Sequence, residues 1–265
     1  MVARLLHQSG VLEELPAPST LGEAYENVFR ILRHRGNRDD YVFRSALTQK
    51  LVLGRHSLRT TAVMHELRVG SSKVDMVVVN GGSTAFEIKS DRDTLARLLR
   101  QIEDYRRAFT SVVVVASAPN AAVAEGMLPP NVGVMSLSDR YTLRTLRPAV
   151  PDSSHLSSVA MIDVLRRHEA VAVVRALGVE PPVLANTQVR SYLTECAKSL
   201  SAREVHAAMV NVLRRTRSQS ELAEELLGFP PSLRAAMLSL GLSNDDRHRL
   251  AQALDRDVRD VATWG

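Results

Sequence analysis

Apolar and polar positions interleave across residues 61–69, 73–79 and 84–89 at the spacing of β-strands. Gly70-Ser71-Ser72 separates the first two runs. Asn80-Gly81-Gly82-Ser83 separates the second and third, and its Asn-Gly pair is a strong short-range hairpin signal. The pattern predicts three consecutive antiparallel strands. Over residues 90–109 the period lengthens. Leucine or isoleucine at 95, 98, 99 and 102 makes the i, i+3, i+4, i+7 stripe of an amphipathic helix, with Ser90 or Asp91 placed to cap its start. Residues 111–115, Ser-Val-Val-Val-Val, are a short apolar run of the kind found in buried strands. The predicted order is strand, strand, strand, helix, strand.

Flanking segments extend this core. Residues 20–35 predict a helix capped by Thr20, with Glu23 three residues on completing a capping box. A second helix is expected over about 44–53, stopping at Gly54. Residues 131–137 and 141–146 predict two more short strands after Pro129-Pro130, and 148–154 predict a linker. Beyond it the pattern is helical: 157–177, 186–197, 202–215 behind a Ser201 cap, 219–226, 232–240, and a last helix after Ser243. The expected organisation is an α/β domain over 1–150, a small mixed sheet flanked by helices, followed by an α-helical domain over 151–265.

Alternation decides which polar side chains meet. On one strand Glu87 and Lys89 share a face while Ile88 points to the other. Asp75, separated from Glu87 by eleven residues, lies on the neighbouring strand, and Glu66 lies on the next hairpin arm beside it. Hydrolysis of a phosphodiester needs an activated water and a stabiliser for the charge that builds on the phosphoryl oxygens. Hard carboxylate oxygens suit Mg²⁺ or Mn²⁺, and a lysine beside them can orient water or neutralise charge. Asp75, Glu87 and Glu66 are therefore candidate metal ligands, with Lys89 as their cationic partner.

This order of elements, with Asp75 followed by Glu87-Ile88-Lys89, resembles the core of the PD-(D/E)XK nuclease superfamily over roughly residues 20–117. Gln101 and Tyr105 match the Q-x3-Y motif of its RecB-like members, on the helix after the E-x-K strand. The resemblance implies a restriction-endonuclease-like core. It implies a Mg²⁺- or Mn²⁺-dependent nuclease acting on DNA, in defence, repair or mobile-element biology. Asp75, Glu87 and Glu66 would hold metal, and Lys89, Gln101 and Tyr105 would complete the site. Val74 stands where the superfamily's proline would be, and Glu23 or Glu26 on the first helix are alternatives to Glu66. A catalytically silent module of the same fold, binding nucleic acid or a partner protein, is the alternative.

Charge and composition agree with that expectation. The formal net charge is +5. Residues 1–150 carry 20 Lys and Arg against 15 Asp and Glu, and residues 151–265 carry 14 against 14, so the positive excess lies in the first part. Only four of the 34 basic residues are lysine, so Lys89 stands out in a chain that otherwise uses arginine forks, which suit phosphate oxygens. Arg68, Lys73, Arg97 and Arg100 are candidates to hold a nucleic-acid backbone. The uncharged balance of the helical part points instead to packing, homodimerisation or a protein partner, although residues 186–193 have the place of a helix-turn-helix recognition helix. A single cysteine, Cys196, excludes an internal disulfide and a cysteine-based zinc cluster. No apolar run approaches membrane-spanning length and the first residues do not read as a signal peptide, so a cytoplasmic protein without membrane contact is expected. There is no P-loop, dinucleotide turn, G-x-S-x-G elbow or H-E-x-x-H motif.

Overall fold

The computed structural model describes residues 19–55 and 58–263, together with residues 10 and 13. Helix α1 (Leu21–Leu32) opens with the expected capping box, in which Thr20 and Glu23 satisfy each other's backbone N–H. Helix α2 (Asp40–Leu47) starts four residues earlier than expected because Asp39 caps it through the Val42 N–H. It widens into a π-turn at Thr48–Val52 before a final turn at Leu53–Arg55.

The six strands are β1 (Ala62–Val69), β2 (Ser72–Val79), β3 (Ser83–Lys89), β4 (Ser111–Ser117), β5 (Gly133–Leu137) and β6 (Leu143–Arg147). They form one sheet in sequence order. β1–β2 and β2–β3 pair antiparallel, β3–β4 and β4–β5 parallel, and β5–β6 antiparallel. The two parallel pairings need crossovers, which α3 (Leu98–Arg106) and α4 (Ala118–Met127) supply. Helix α3 begins later than the leucine stripe suggested. Ser90 donates both its backbone N–H and its hydroxyl to the Asp93 carboxylate, so residues 90–93 form a turn and Leu95 lies outside the helix.

The C-terminal half is helical: α5 (Ser158–Val164), α6 (Arg167–Ala176), α7 (Asn186–Lys198), α8 (Ala202–Thr216), α9 (Leu222–Gly228), α10 (Arg234–Leu240), α11 (Asn244–Leu254) and α12 (Val258–Ala262). The helix expected over 157–177 is two, because Glu169 folds back onto the Arg166 N–H and starts a new one there. These helices pack on both faces of the sheet. Met161, Val173, Leu193 and Met209 join Met64, Val77, Ala85 and Val114 on one face, together with Leu98, Ile102 and Tyr105 of α3. On the other, Leu226, Phe229, Met237 and Val258 join Met76, Phe86, Ile88 and Val115, together with Phe29 and Phe43 of α1 and α2. The linker expected over 148–154 is tied down, since the Asp152 carboxylate accepts from Arg106 and Asn131 and its N–H donates to the Thr110 carbonyl. No helix among the described residues is long and apolar enough to cross a membrane.

One irregularity in the sheet matters for the site. Met64 and Val77 face the first core, so strict alternation would send Val69 and Val74 to the second, yet both lie in the first. The alternation breaks at Glu66 and Asp75, which sit opposite each other between the register pairs His65–Met76 and Leu67–Val74. Glu66 is in the left-handed region, φ 56°. That conformation is costly for a residue with a Cβ and turns the local backbone of both strands.

Candidate functional site

Ile88 packs among the second core, and Glu87 and Lys89 project to the α3 side, as alternation requires. Both are nearly buried there: their side chains are 3% and 10% exposed. Lys89 Nζ donates to Glu87 Oε1 at 2.8 Å and to Gln101 Oε1 at 2.9 Å. The Tyr105 hydroxyl lies 2.6 Å from Glu87 Oε2 and 2.8 Å from the Lys73 carbonyl oxygen. Gln101 and Tyr105 are one turn apart on α3, which is why both reach the same strand. Burial and the Glu87 charge push the Tyr105 hydroxyl far above its ordinary value, so it acts as a neutral donor.

Asp75 completes the group from β2, where its Oδ2 accepts the Ile88 N–H at 2.7 Å. Burial, then the charge of Glu87, push its carboxyl up to about 7. Asp75, Glu87, Lys89 and Gln101 line a cleft of about 410 Å³ whose wall also includes Lys73, Arg97 and Arg100, while Tyr105 is buried behind it. The β1–β2 turn is fastened over the cleft by α3: Ser71 and Ser72 donate to Asp104, and Arg100 donates to Ser71. Gly70 occupies the left-handed position of that turn, and a Cβ there would come within 3.0 Å of Asp104.

The structure thus brings together Asp75, Glu87, Lys89, Gln101, Tyr105, Lys73, Arg97 and Arg100. It does not place Glu66 or Arg68 on the cleft wall. Glu66 is held by Arg44 at 2.8 Å and by an ion pair with Lys73. Although burial pushes its carboxyl up, those two partners outweigh burial and bring it below its usual range. The left-handed backbone accounts for this turn away from the expected site, since alternation no longer holds at that residue. Arg68 is exposed on β1. Glu23 and Glu26 line a different cavity, beside α9 and α11, where Glu26 accepts the Ser232 N–H. The carboxylates that do join the cleft are Asp40, at the start of α2, and Asp93, in the turn after β3. Burial and Asp93 raise the Asp40 carboxyl, and Asp40 in turn contributes to raising Asp75. The local signal for Asp40 was the Asn37-Arg38-Asp39-Asp40 helix start, and nothing in sequence spacing connects it to β2. His65 is neutral, pushed down to about 4 by burial and Arg44.

Among the described residues, no three His, Cys, Asp or Glu side chains come close enough together to cage a metal ion. What fold and site define is an α/β protein with a buried carboxylate–lysine cluster and an arginine-lined cleft at one end of a mixed sheet. A family model described as Bacteriophage P4 protein cII matches residues 34–226, which is 193 of the 265 residues and includes every cleft residue named above. The chain belongs to that phage P4 cII family. It is 31% identical to protein cII of Enterobacteria phage P4 over 80 residues, 29% of this chain and 30% of that protein's length. The match therefore spans less than a third of that curated relative. No solved structure matches the chain.

Proposed function

We propose that this chain is a Mg²⁺- or Mn²⁺-dependent nuclease of restriction-endonuclease-like fold that hydrolyses phosphodiester bonds in DNA. The observation that carries the reading is the position of Lys89. Its ammonium is buried between Glu87 and Gln101, beside a carboxyl, Asp75, whose proton is unusually hard to lose. Hydrophobic side chains of similar volume would serve stability as well as such a cluster of buried charge, so its presence points to chemistry.

The donor set fits a hard divalent cation. Asp75 and Glu87 offer carboxylate oxygens whose mutual repulsion a cation would relieve, and Mg²⁺ is commonly held by one or two carboxylates with water filling the remaining positions. Once held there, the ion would supply charge neutralisation and a more acidic bound water. Lys89 stabilises charge on the phosphoryl oxygens, Gln101 and Tyr105 orient Lys89 and Glu87, and Lys73, Arg97 and Arg100 hold the backbone on either side. A second reading, a catalytically silent module binding nucleic acid or a protein, is favoured by one observation. Both Glu87 oxygens already have partners within the chain.

Cleavage of plasmid, linear duplex and single-stranded DNA with Mg²⁺, Mn²⁺ or EDTA separates the readings. Metal-dependent cutting that disappears in Lys89→Ala and in Asp75→Ala supports the nuclease. DNA binding without cutting in any metal supports the silent module, and neither binding nor cutting removes the nuclease and the nucleic-acid-binding module, leaving the protein-binding one.

A further inference from the structure

Beside the cleft, across the carboxyl ends of the parallel strands, lies a second cavity of about 380 Å³ with its own polar groups. Ser117 and Leu137 are register partners at the ends of β4 and β5, and Lys89 pairs with Ala116 on the other side of β4. The cavity floor at Leu137 is two strand spacings from Lys89, about 10 Å. Asn120 Nδ2 donates to the Ser90 carbonyl, so the loop after Lys89 and the start of α4 form a common wall. Crevices outside the carboxyl ends of parallel strands are where α/β sheets hold ligands.

Two independent features of this cavity favour an anion. The first is the N-terminus of the ten-residue helix α4, where the N-cap Ser117 gives no side-chain hydrogen bond. That end carries the partial positive charge of the helix, and Ser117, Ala118, Pro119 and Asn120 at its start line the cavity, with Pro119 contributing no N–H. The second is Arg38, whose side chain is 1% exposed. Its Nε donates to the Arg33 carbonyl and its Nη1 to the Leu137 carbonyl, while Nη2 is buried without a hydrogen-bond partner. The nearest carboxylate, Asp139, stands 3.9 Å away, beyond hydrogen-bond range, with its side chain 69% exposed. A buried guanidinium N–H without an acceptor is costly, and one placed beside an uncapped helix start is arranged for a ligand that brings oxygens. Arg35 adds a further positive charge to the wall, and the other acid there, Asp91, accepts the Gly36 N–H.

The geometry points to a phosphate-binding subsite formed by Arg38 and the first turn of α4, with Asp139 as an exposed counter-charge that a phosphate displaces. The phosphate comes either from the nucleic-acid strand lying in the neighbouring cleft, a source that rests on the function proposed above, or from a free phosphate group.

Calorimetric titration of the full chain with inorganic phosphate in EDTA tests the subsite without any cleavage. Saturable one-to-one binding is expected. Asp139→Asn, a change at an exposed side chain, should tighten it about threefold, and Arg38→Met, with its fold checked by circular dichroism, should weaken it about tenfold or more. Arg97→Ala/Arg100→Ala, which alters only the cleft, should leave it in place. No saturable binding by wild type or Asp139→Asn up to roughly 20 mM phosphate overturns the subsite, as does binding that follows Arg97 and Arg100 instead of Arg38 and Asp139. Competition between phosphate and a single-stranded oligonucleotide assigns the site to the strand, and binding of both without competition assigns it to free phosphate. Loss of cleavage with phosphate binding intact would count against the nuclease alone.

Discussion

Asp75 should make the metal-free protein less stable as pH rises. Its carboxyl is raised from 3.8 to about 7 by burial and by Glu87. A group whose folded value lies above its unfolded one contributes fully below the unfolded value and loses that contribution as pH climbs through the folded one. The window here runs from about pH 4 to about pH 7. At about 1.36 kcal/mol per pH unit, holding this carboxylate charged costs the fold up to about 4 kcal/mol above that window, a cost shared with Glu87. Asp75→Asn keeps the shape and an amide oxygen able to accept the Ile88 N–H, while removing the charge. In EDTA the variant should match wild type near pH 4 and exceed it by about 2–4 kcal/mol at pH 8. Urea denaturation at both pH values, with equal m-values required, measures the difference. A variant no more stable than wild type at pH 8 would refute the claim that Asp75 and Glu87 repel each other in a poorly solvated site. The cost would then have to be absent or offset elsewhere.

Further outcomes follow from the same geometry. Adding Mn²⁺ at pH 8 should raise the melting temperature of wild type and leave that of Asp75→Asn unchanged; equal shifts in both would place the ion elsewhere. Tyr105→Phe removes a fully buried hydroxyl from Glu87 and should destabilise by about 1.5–3 kcal/mol, read by urea denaturation, with a loss below about 0.5 kcal/mol counting against that hydrogen bond. Arg217→Met strips the bidentate partner from Glu169, whose side chain is 0% exposed, and should cost about 3–5 kcal/mol; a near-neutral effect would mean that Arg166 and Thr216 suffice to hold that charge.

The local parts of this protein are written in its sequence. The period-two runs and the Asn80-Gly81 turn specified β1 to β3, and the spacing of Glu87 with Lys89, and of Gln101 with Tyr105, specified which side chains share a face. Those relations depend only on the repeat of a strand or a helix, so a single chain carries them. The Thr20–Glu23 capping box is legible for the same reason.

Relations between distant segments were decided by packing. Asp40 enters the cleft because α2 docks on the second core, and no spacing along the chain measures that. Glu66 leaves it because its backbone is left-handed, a conformation that glycine, asparagine or aspartate would have advertised and glutamate does not. The C-terminal helices looked like a separate unit because each has its own apolar stripe. Which sheet face each stripe covers is set by the tertiary arrangement, and it divides them between two cores. Arg38 reads in sequence as one more surface arginine of 34 basic residues, and only the folded chain buries it against β5 with one nitrogen left over. Periodicity dictates which residues of one element face together; the burial of surface between elements dictates what they meet.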